Sequence, residues 1–247
     1  GKDLMSFGTP ILVLGDPGQL PPISGGGFFT EHEPDYLLTE IHRQARDNPI
    51  IYMATRVREG RKLELGAYGE SRVVERNVLS GREVVAADQV IVGRNETRSA
   101  YNKKMRAILG FEGEMPEDGD KLVCLRNDRA FGLLNGGIHT VTEVLHRRSD
   151  NQHIVLEVES DDFKDRARIE VKVRREFFLG TGTDIPPGDL KGTQQFDFGY
   201  ALTCHKSQGS QWSNIIVFDE GAAFRENANR WRYTAITRAA ERITVVI

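Results

Sequence analysis

The sequence predicts an α/β domain interrupted by a small all-β barrel. Three observations carry that expectation. Short apolar runs at 9–14 and 84–92 each stop at turn formers, and the second leads into a helical period. From about Pro116 the texture changes to short β-type segments separated by Gly, Asn and Asp. From residue 196 the first texture returns and runs to residue 247.

Taken in order, Thr9–Leu14 is an apolar run ending in Gly15-Asp16-Pro17-Gly18. It reads as a buried parallel strand feeding a loop at its C-terminal end. Gly25-Gly26-Gly27 reads as a flexible connection. Asn48 then offers an N-cap and Pro49 a first helical position, while Ile50, Met53, Ala54 and Val57 recur at i, i+3, i+4 and i+7. The spacing predicts an amphipathic helix over 49–59, stopped by Gly60. Residues 84–92 (VVAADQVIV) predict a second buried strand, closed by Gly93-Arg94-Asn95. Helical spacing resumes over 96–109 through Ala100, Tyr101, Met105 and Ile108. The barrel is expected from segments 120–125, 138–145, 153–159 and 167–173, followed by a loose stretch at 180–192. A strand over 196–202, a polar turn, a strand over 214–218, a helix near 228–240 and a final strand over 242–247 complete the α/β part.

Composition narrows the function classes. A length of 247 residues allows one large domain or two small ones. The formal charge of −3 argues against a wholly basic nucleic-acid coat, yet a local basic groove is enough for such a partner. The longest aliphatic run, Ile11–Leu14, is far short of the roughly 20 residues of a membrane span. No apolar segment follows a basic start, so no signal peptide is visible and no membrane partner is expected. Cys124 and Cys204 lie far apart without CxxC spacing, which removes zinc ribbons and disulfide scaffolds. Two lone thiols suit a reducing cytoplasm. The opening Gly1-Lys2-Asp3, without an initiator Met, suits either processing or a fragment.

Four segments could carry chemistry. In Gly15-Asp16-Pro17-Gly18-Gln19-Leu20-Pro21-Pro22, Gln19 stands beyond a strand's C-terminal end, where open α/β sheets bind ligands. Its carboxamide could orient a water or meet a phosphate oxygen, or simply be solvated in a Pro/Gly turn. In Leu38-Thr39-Glu40-Ile41-His42-Arg43-Gln44, Arg43 could pair with a phosphate or with a surface carboxylate. The run Thr203-Cys204-His205-Lys206-Ser207-Gln208-Gly209-Ser210-Gln211 joins two strands with hydroxyls, amides, a Lys and the freed backbone near Gly209. That is the chemistry of a phosphate-backbone or nucleotide-edge surface. In Trp231-Arg232-Tyr233-Thr234-Ala235-Ile236-Thr237-Arg238-Ala239, Thr234 and Arg238 would share a helix face, presenting either a transition-state cation or a salt-bridged surface Arg. Residues 94–106 add Arg94, Arg98, Lys103, Lys104 and Arg106 against Glu96 alone, a local balance of +4. A solvated helix face is the competing explanation. Asp161, Asp162 and Asp165 are the densest acidic group, in a charge-balanced stretch that gives little support to a metal-dependent nuclease.

In this order the segments resemble the second half of a superfamily 1 helicase, most closely the RecD/Dda-type group of phage and bacterial RecD-like DNA helicases. GDPGQLPP is similar to motif III, LTEIHRQ to motif IV, LTCHKSQGSQW to motif V and YTAITRA to motif VI. Residues 119–141 (GDKLVCLRNDRAFGLLNGGIHTV) resemble the SH3-like 2B insertion of that group. The resemblance implies a RecA-like, P-loop NTPase-type domain 2A, split as 31–115 and 193–247 around a 2B insertion at 116–192. Residues 1–30 would be the C-terminal remnant of domain 1A.

The same resemblance implies an ATP-dependent, 5′→3′ DNA helicase with ATP and Mg²⁺ as cofactors. Gln19, Arg43 and Arg238 would act catalytically, with Arg238 as the arginine finger. Gln19, Arg43, Gly209, Gln211 and Arg238 would contact the nucleotide. Many relatives carry Glu where this chain has Gln211. Arg94, Asn95, Thr203, His205, Lys206 and Ser207 would line the single-strand track. Single-stranded DNA and single-strand/duplex junctions would be the partners, with nuclease or recombination subunits as further ones. No GxxxxGK[ST] occurs, and Asp219-Glu220 follows motif V, the wrong place for a Mg²⁺-binding acidic pair. The phosphate cradle and Mg²⁺ ligands are therefore expected in an upstream half, and the chain alone is expected to be inactive. The rival reading is a non-catalytic single-stranded-DNA-binding module of a helicase–nuclease complex.

Overall fold

The computed structural model describes residues 1–21, 28–29, 33–37, 48–163 and 165–247. The Gly25–Gly27 connection, Arg43 and the rest of the 38–44 segment lie outside these described residues. The chain divides into two compact units, Gly1–Val78 with Ser207–Ile247, and Leu79–Lys206.

The first unit opens with the short helix α1 (Lys2–Ser6). The predicted strand at 9–14 is absent: residues 8–16 join no helix or strand, and Leu12 and Leu14 are each 84% exposed. An apolar run becomes a strand only where another edge accepts its backbone, and no described strand pairs with it. Helix α2 (Pro49–Arg58) forms as its spacing requires. Asn48 Oδ1 accepts from the N–H of Ile50 at 2.8 Å, and the buried face is Ile50, Met53, Ala54 and Val57. Strands β1 (Gly66–Tyr68) and β2 (Ser71–Val74) form a hairpin, with Gly69 at φ +59° in its two-residue turn.

In the same unit, β10 (Trp212–Phe218) runs parallel to β11 (Ala239–Val246), which runs parallel to β2. Ile215–Phe218 are all buried, as expected of a parallel strand covered on both faces. Helix α5 (Ala228–Ile236) connects β10 to β11 and packs with α2, burying Trp231, Met53, Val57 and Ile236. The helix is shorter than the predicted 228–240 and the final strand starts three residues earlier. The reason is register: Ala239 pairs with Trp212, so the β ladder claims the chain immediately after Arg238.

In the second unit the predicted strand 84–92 divides. Ser80 and Glu83 form a reciprocal capping box, which draws Gly81–Val85 into helix α3 and leaves only β3 (Gln89–Val92) extended. Helix α4 (Asn95–Leu109) follows, but its buried face is Asn102, Met105 and Arg106, while Ala100 and Ile108 are exposed. Two polar residues face inward because each has partners there. Asn102 Nδ2 donates to Phe198 O at 3.0 Å and its Oδ1 accepts from the Ala201 N–H at 2.7 Å.

The four expected barrel segments appear as β4 (Lys121–Cys124), β5 (Ile138–Val144), β6 (His153–Ser160) and β7 (Ile169–Arg174). With β8 (Phe196–Phe198) they form an antiparallel five-stranded sheet in the order β7-β6-β5-β4-β8. The stretch 180–192 holds only 3₁₀ turns at Gly182–Asp184 and Pro187–Leu190. The predicted single strand 196–202 breaks at Gly199-Tyr200. There the chain leaves the antiparallel sheet and becomes β9 (Ala201–Thr203), parallel to β3. A Cβ on Gly199 would lie 2.8 Å from the Leu122 carbonyl carbon, so only glycine permits the crossing. Gln89 Nε2 donates to the buried carbonyls of Gly199 and Tyr200, each at 3.0 Å. Among the described residues no helix is long and apolar enough to cross a membrane.

Candidate functional site

In the first unit the loop Gly15–Leu20 is held by its own aspartate. Asp16 Oδ1 accepts from the Gly18 N–H at 2.9 Å and Asp16 O from the Gln19 N–H at 3.1 Å, a tight turn of the kind Asp favours. Asp16 Oδ2 accepts from the Tyr233 hydroxyl at 2.8 Å and from Gln19 Nε2 at 3.3 Å. One residue on, the Leu20 N–H donates to Thr234 Oγ1 at 2.8 Å, and Leu20 O accepts from Gln208 Nε2 at 3.0 Å. A Cβ at Gly18 would sit 3.1 Å from the Tyr233 ring, so glycine lets the loop lie against α5. Burial first, and Asp16 second, push the Tyr233 phenol up to about 12, so it remains a donor across the neutral range.

Arg238 lies two residues beyond the end of α5 rather than on the helix. Its Nε still reaches Thr234 O at 3.1 Å, while Nη1 donates to Ser210 O at 3.2 Å and Nη2 to Thr237 Oγ1 at 3.1 Å. Thr234 is thus a junction with no exposed surface: its hydroxyl holds the Gln19 loop and its carbonyl holds Arg238. The polar run completes the cluster. Gly209 adopts φ +89° in open space, the Ser210 N–H donates to Ser207 O at 3.1 Å, and Gln211 Nε2 donates to Ala239 O at 3.3 Å. Gln211 and Gly209 are exposed and Gln19 and Arg238 half-buried, whereas Ser207 is fully buried and faces the core rather than solvent.

The second unit brings together the remaining predicted residues. β3 and β9 pair in parallel, Val92 opposite Thr203, and the Cys204 N–H donates to Val92 O at 2.9 Å. Their C-terminal ends therefore place Arg94 and Asn95 beside Thr203, His205 and Lys206, the edge at which α/β sheets meet ligands. Arg94 and Asn95 are exposed at the start of α4. Lys206 Nζ donates to Asn135 Oδ1 at 2.8 Å. Burial lowers both the His205 imidazole and the Lys206 ammonium from their ordinary values.

The basic cluster 94–106 is smaller in space than in sequence. Arg98 pairs with Asp197 at 2.6 Å and Arg106 is buried on Asp120, leaving Arg94, Lys103 and Lys104 exposed. Sequence reasoning missed Asp16, Gln208 and Tyr233 as parts of the network. The Asp-x-Gly spacing of a side-chain-capped turn was a usable signal for the first; nothing in the spacing announces the partners some 200 residues away. Among the described residues no three His, Cys, Asp or Glu side chains cluster to hold a metal.

Comparison with known proteins follows the same residues. Residues 198–246 match the UvrD-like helicase C-terminal domain. The chain is 27% identical over 261 aligned positions to the ATP-dependent RecD2 DNA helicase of Deinococcus radiodurans, covering 95% of this chain and 32% of that protein. The chain thus spans about a third of the length of that relative. Among solved structures, the Pif1 helicase from Candida albicans matches at a TM-score of 0.48 and 16% identity, over 84% of this chain and 55% of that one. The Bacteroides Pif1 helicase in complex with ADP-AlF3 and ssDNA matches at a TM-score of 0.42 and 12% identity, over 79% and 48%. The family match and the RecD2 likeness support the resemblance to the C-terminal half of a superfamily 1, RecD-like helicase.

Proposed function

With residues 198–246 similar to a UvrD-like helicase C-terminal domain, we propose that this chain is the motor-completing half of an ATP-dependent DNA helicase that moves 5′→3′ on single strands. Residues 31–115 and 193–247 are the RecA-like domain 2A, 116–192 the SH3-like 2B insertion and 1–30 the end of domain 1A. The observation that carries the reading is the junction at Thr234, which joins the Gln19 loop, the 207–211 loop and Arg238 through hydrogen bonds of 2.8–3.2 Å. Three segments far apart in sequence and individually ambiguous become one polar cluster.

The polar set suits ATP and its attacking water: the Arg238 guanidinium and the exposed Gln211 beside the left-handed Gly209 backbone for the phosphates, and the Gln19 carboxamide for a water or a phosphate oxygen. ATP, when bound, supplies the phosphoanhydride whose cleavage drives translocation. The carbonyls of Thr234 and Ser210 and the Thr237 hydroxyl accept from the Arg238 guanidinium and aim it. Arg43 belongs to the same proposal as a second phosphate-binding cation. Among the described residues no cluster of three His, Cys, Asp or Glu side chains would hold Mg²⁺. In the second unit, Arg94, Asn95, Thr203, His205 and Lys206 would meet the DNA backbone; Ser207, in the first unit, supports its own loop by accepting the Ser210 N–H.

The test is ATP hydrolysis by the complete protein with and without a single-stranded oligonucleotide. Strong stimulation by the oligonucleotide, together with displacement of a duplex carrying a 5′ tail, is the expected result. Tight single-strand binding without any hydrolysis would support the non-catalytic binding module instead. A pH dependence follows from His205. Because burial lowers its pKa, the imidazole is neutral at pH 7 and adds no charge to the DNA contact. Affinity for single strands measured by fluorescence anisotropy should rise as pH falls below the ordinary imidazole value of about 6.5, and that extra rise should disappear in His205→Gln.

A further inference from the structure

Asp16 and Tyr233 make one of two 2.8 Å links between the Gln19 loop and the helix that leads to Arg238. Asp16 is satisfied on both oxygens: Oδ1 by the Gly18 N–H at 2.9 Å, and Oδ2 by the Tyr233 hydroxyl at 2.8 Å and Gln19 Nε2 at 3.3 Å. A carboxylate only accepts, so the end of the Gln19 carboxamide that faces Asp16 must be its NH₂. The amide is planar, and its Oε1 is then the end turned away from Asp16. An acceptor so presented suits the hydrogen of a water molecule and repels a phosphate oxygen. We infer that Asp16 and Tyr233 are positioning residues that lock the Gln19 carboxamide with its oxygen outward, making Gln19 a holder of water rather than a direct phosphate contact.

This inference rests on the helicase reading above and deepens it. Three features support the lock beyond the single bonds. Tyr233 stays protonated and able to donate at any working pH. At Gly18 a Cβ would come within 3.1 Å of the Tyr233 ring, so glycine is what lets the loop lie this close. The parallel bond from Leu20 N–H to Thr234 Oγ1, one helical residue on, prevents the loop from pivoting about Asp16. Tyr233 and Thr234 therefore grip both sides of Gln19, and the same Thr234 carries Arg238 on its carbonyl. Any shift of α5 is transmitted to the Gln19 amide.

The experiment uses the complete protein with Tyr233→Phe, Asp16→Asn and Gln19→Ala, alone and combined. Tyr233→Phe removes only the donor hydroxyl and keeps the ring on Gly18. Asp16→Asn keeps the volume but leaves one acceptor oxygen for donors that now approach both ends of the side chain. Each should lower the DNA-stimulated kcat about tenfold, with KM for ATP and affinity for single strands within about twofold. In the Gln19→Ala background neither should lower kcat further, because a group acting through Gln19 has nothing left to position. In the nucleotide-free protein, the Gln19 side-chain amide resonances, assigned by their loss in Gln19→Ala, should shift in both variants. Wild-type kcat in both variants, losses that multiply with Gln19→Ala, or unmoved Gln19 amide resonances would each overturn the inference. If Arg238→Ala is inactive while Tyr233→Phe is not, the lock alone is wrong. A wild-type protein without DNA-stimulated hydrolysis removes the helicase reading and this one with it.

Discussion

Replacing Arg238 by Ala in the complete protein should reduce DNA-stimulated ATP hydrolysis about a thousandfold, the lower end of what an arginine finger contributes. Binding of single-stranded DNA should change by less than threefold, because the proposed DNA contacts lie in the other compact unit. The residue is built for a cation that must not wander. Its Nε is anchored on Thr234 O, Nη1 on Ser210 O and Nη2 on Thr237 Oγ1, so no rotamer search precedes its action. Arg238→Lys separates charge from geometry. An ammonium keeps the charge but loses the planar fork, and at a site tied by three separate bonds it should recover less than a tenth of the activity. Steady-state kinetics with a saturating oligonucleotide, paired with anisotropy on the same preparations, reads both quantities. An Arg238→Ala protein that turns over at the wild-type rate would leave Arg238 as nothing more than a cap on the last turn of α5.

How much of this was legible in the sequence depends on the range of the forces involved. Helix α2 was readable because Asn48, Pro49 and a four-residue apolar period act within the helix itself. The β segments between 121 and 174 were readable because turn formers separate them and their burial is continuous or alternating. Where local and tertiary signals competed, the apolar pattern misled. Val84 and Val85 look like strand, but the Ser80–Glu83 capping box is closer and takes them into α3. Ile11–Leu14 looks like strand too, yet without a partner edge among the described residues it joins no strand and stays exposed. The break at Gly199 could not be read at all, since it depends on the approach of the Leu122 backbone. At the candidate site the motifs name Gln19, Gly209 and Arg238 as candidates, each within its own segment. The bonds that tie the Leu20 N–H to Thr234 and the Tyr233 hydroxyl to Asp16 are tertiary and join residues far apart in the chain.

Arg106 shows the opposite limit, a charge that the sequence places in a basic DNA-facing cluster and the structure places in the core. It should be the most stability-sensitive charged residue of the second unit. Arg106 Nε and Nη2 grip Asp120 at 2.9 and 2.8 Å, Nη2 also donates to Met115 O at 3.0 Å, and Nη1 is bonded to Gly113 O. The guanidinium stacks 4.3 Å from the centre of the Phe198 ring. Asp120, with no exposed surface, takes two more donors, the Tyr200 hydroxyl and the Glu117 N–H, each at 2.8 Å. The network thus ties α4 to the entrance of β4 and to the Gly199-Tyr200 crossing. Removing one partner strands the other charge in a low-dielectric interior, so Arg106→Ala or Asp120→Ala should each cost about 3–5 kcal/mol. That is a large share of the 5–15 kcal/mol that a domain possesses. Replacing both together, as Arg106→Leu with Asp120→Leu, should cost clearly less than the two single losses added, because no unpaired charge remains. Urea denaturation followed by circular dichroism measures all three. The same variants separate structure from function: if Arg106 served DNA directly, Arg106→Ala would weaken single-strand binding at temperatures where the protein is still fully folded. The buried fork predicts unchanged affinity there and loss only along the unfolding curve.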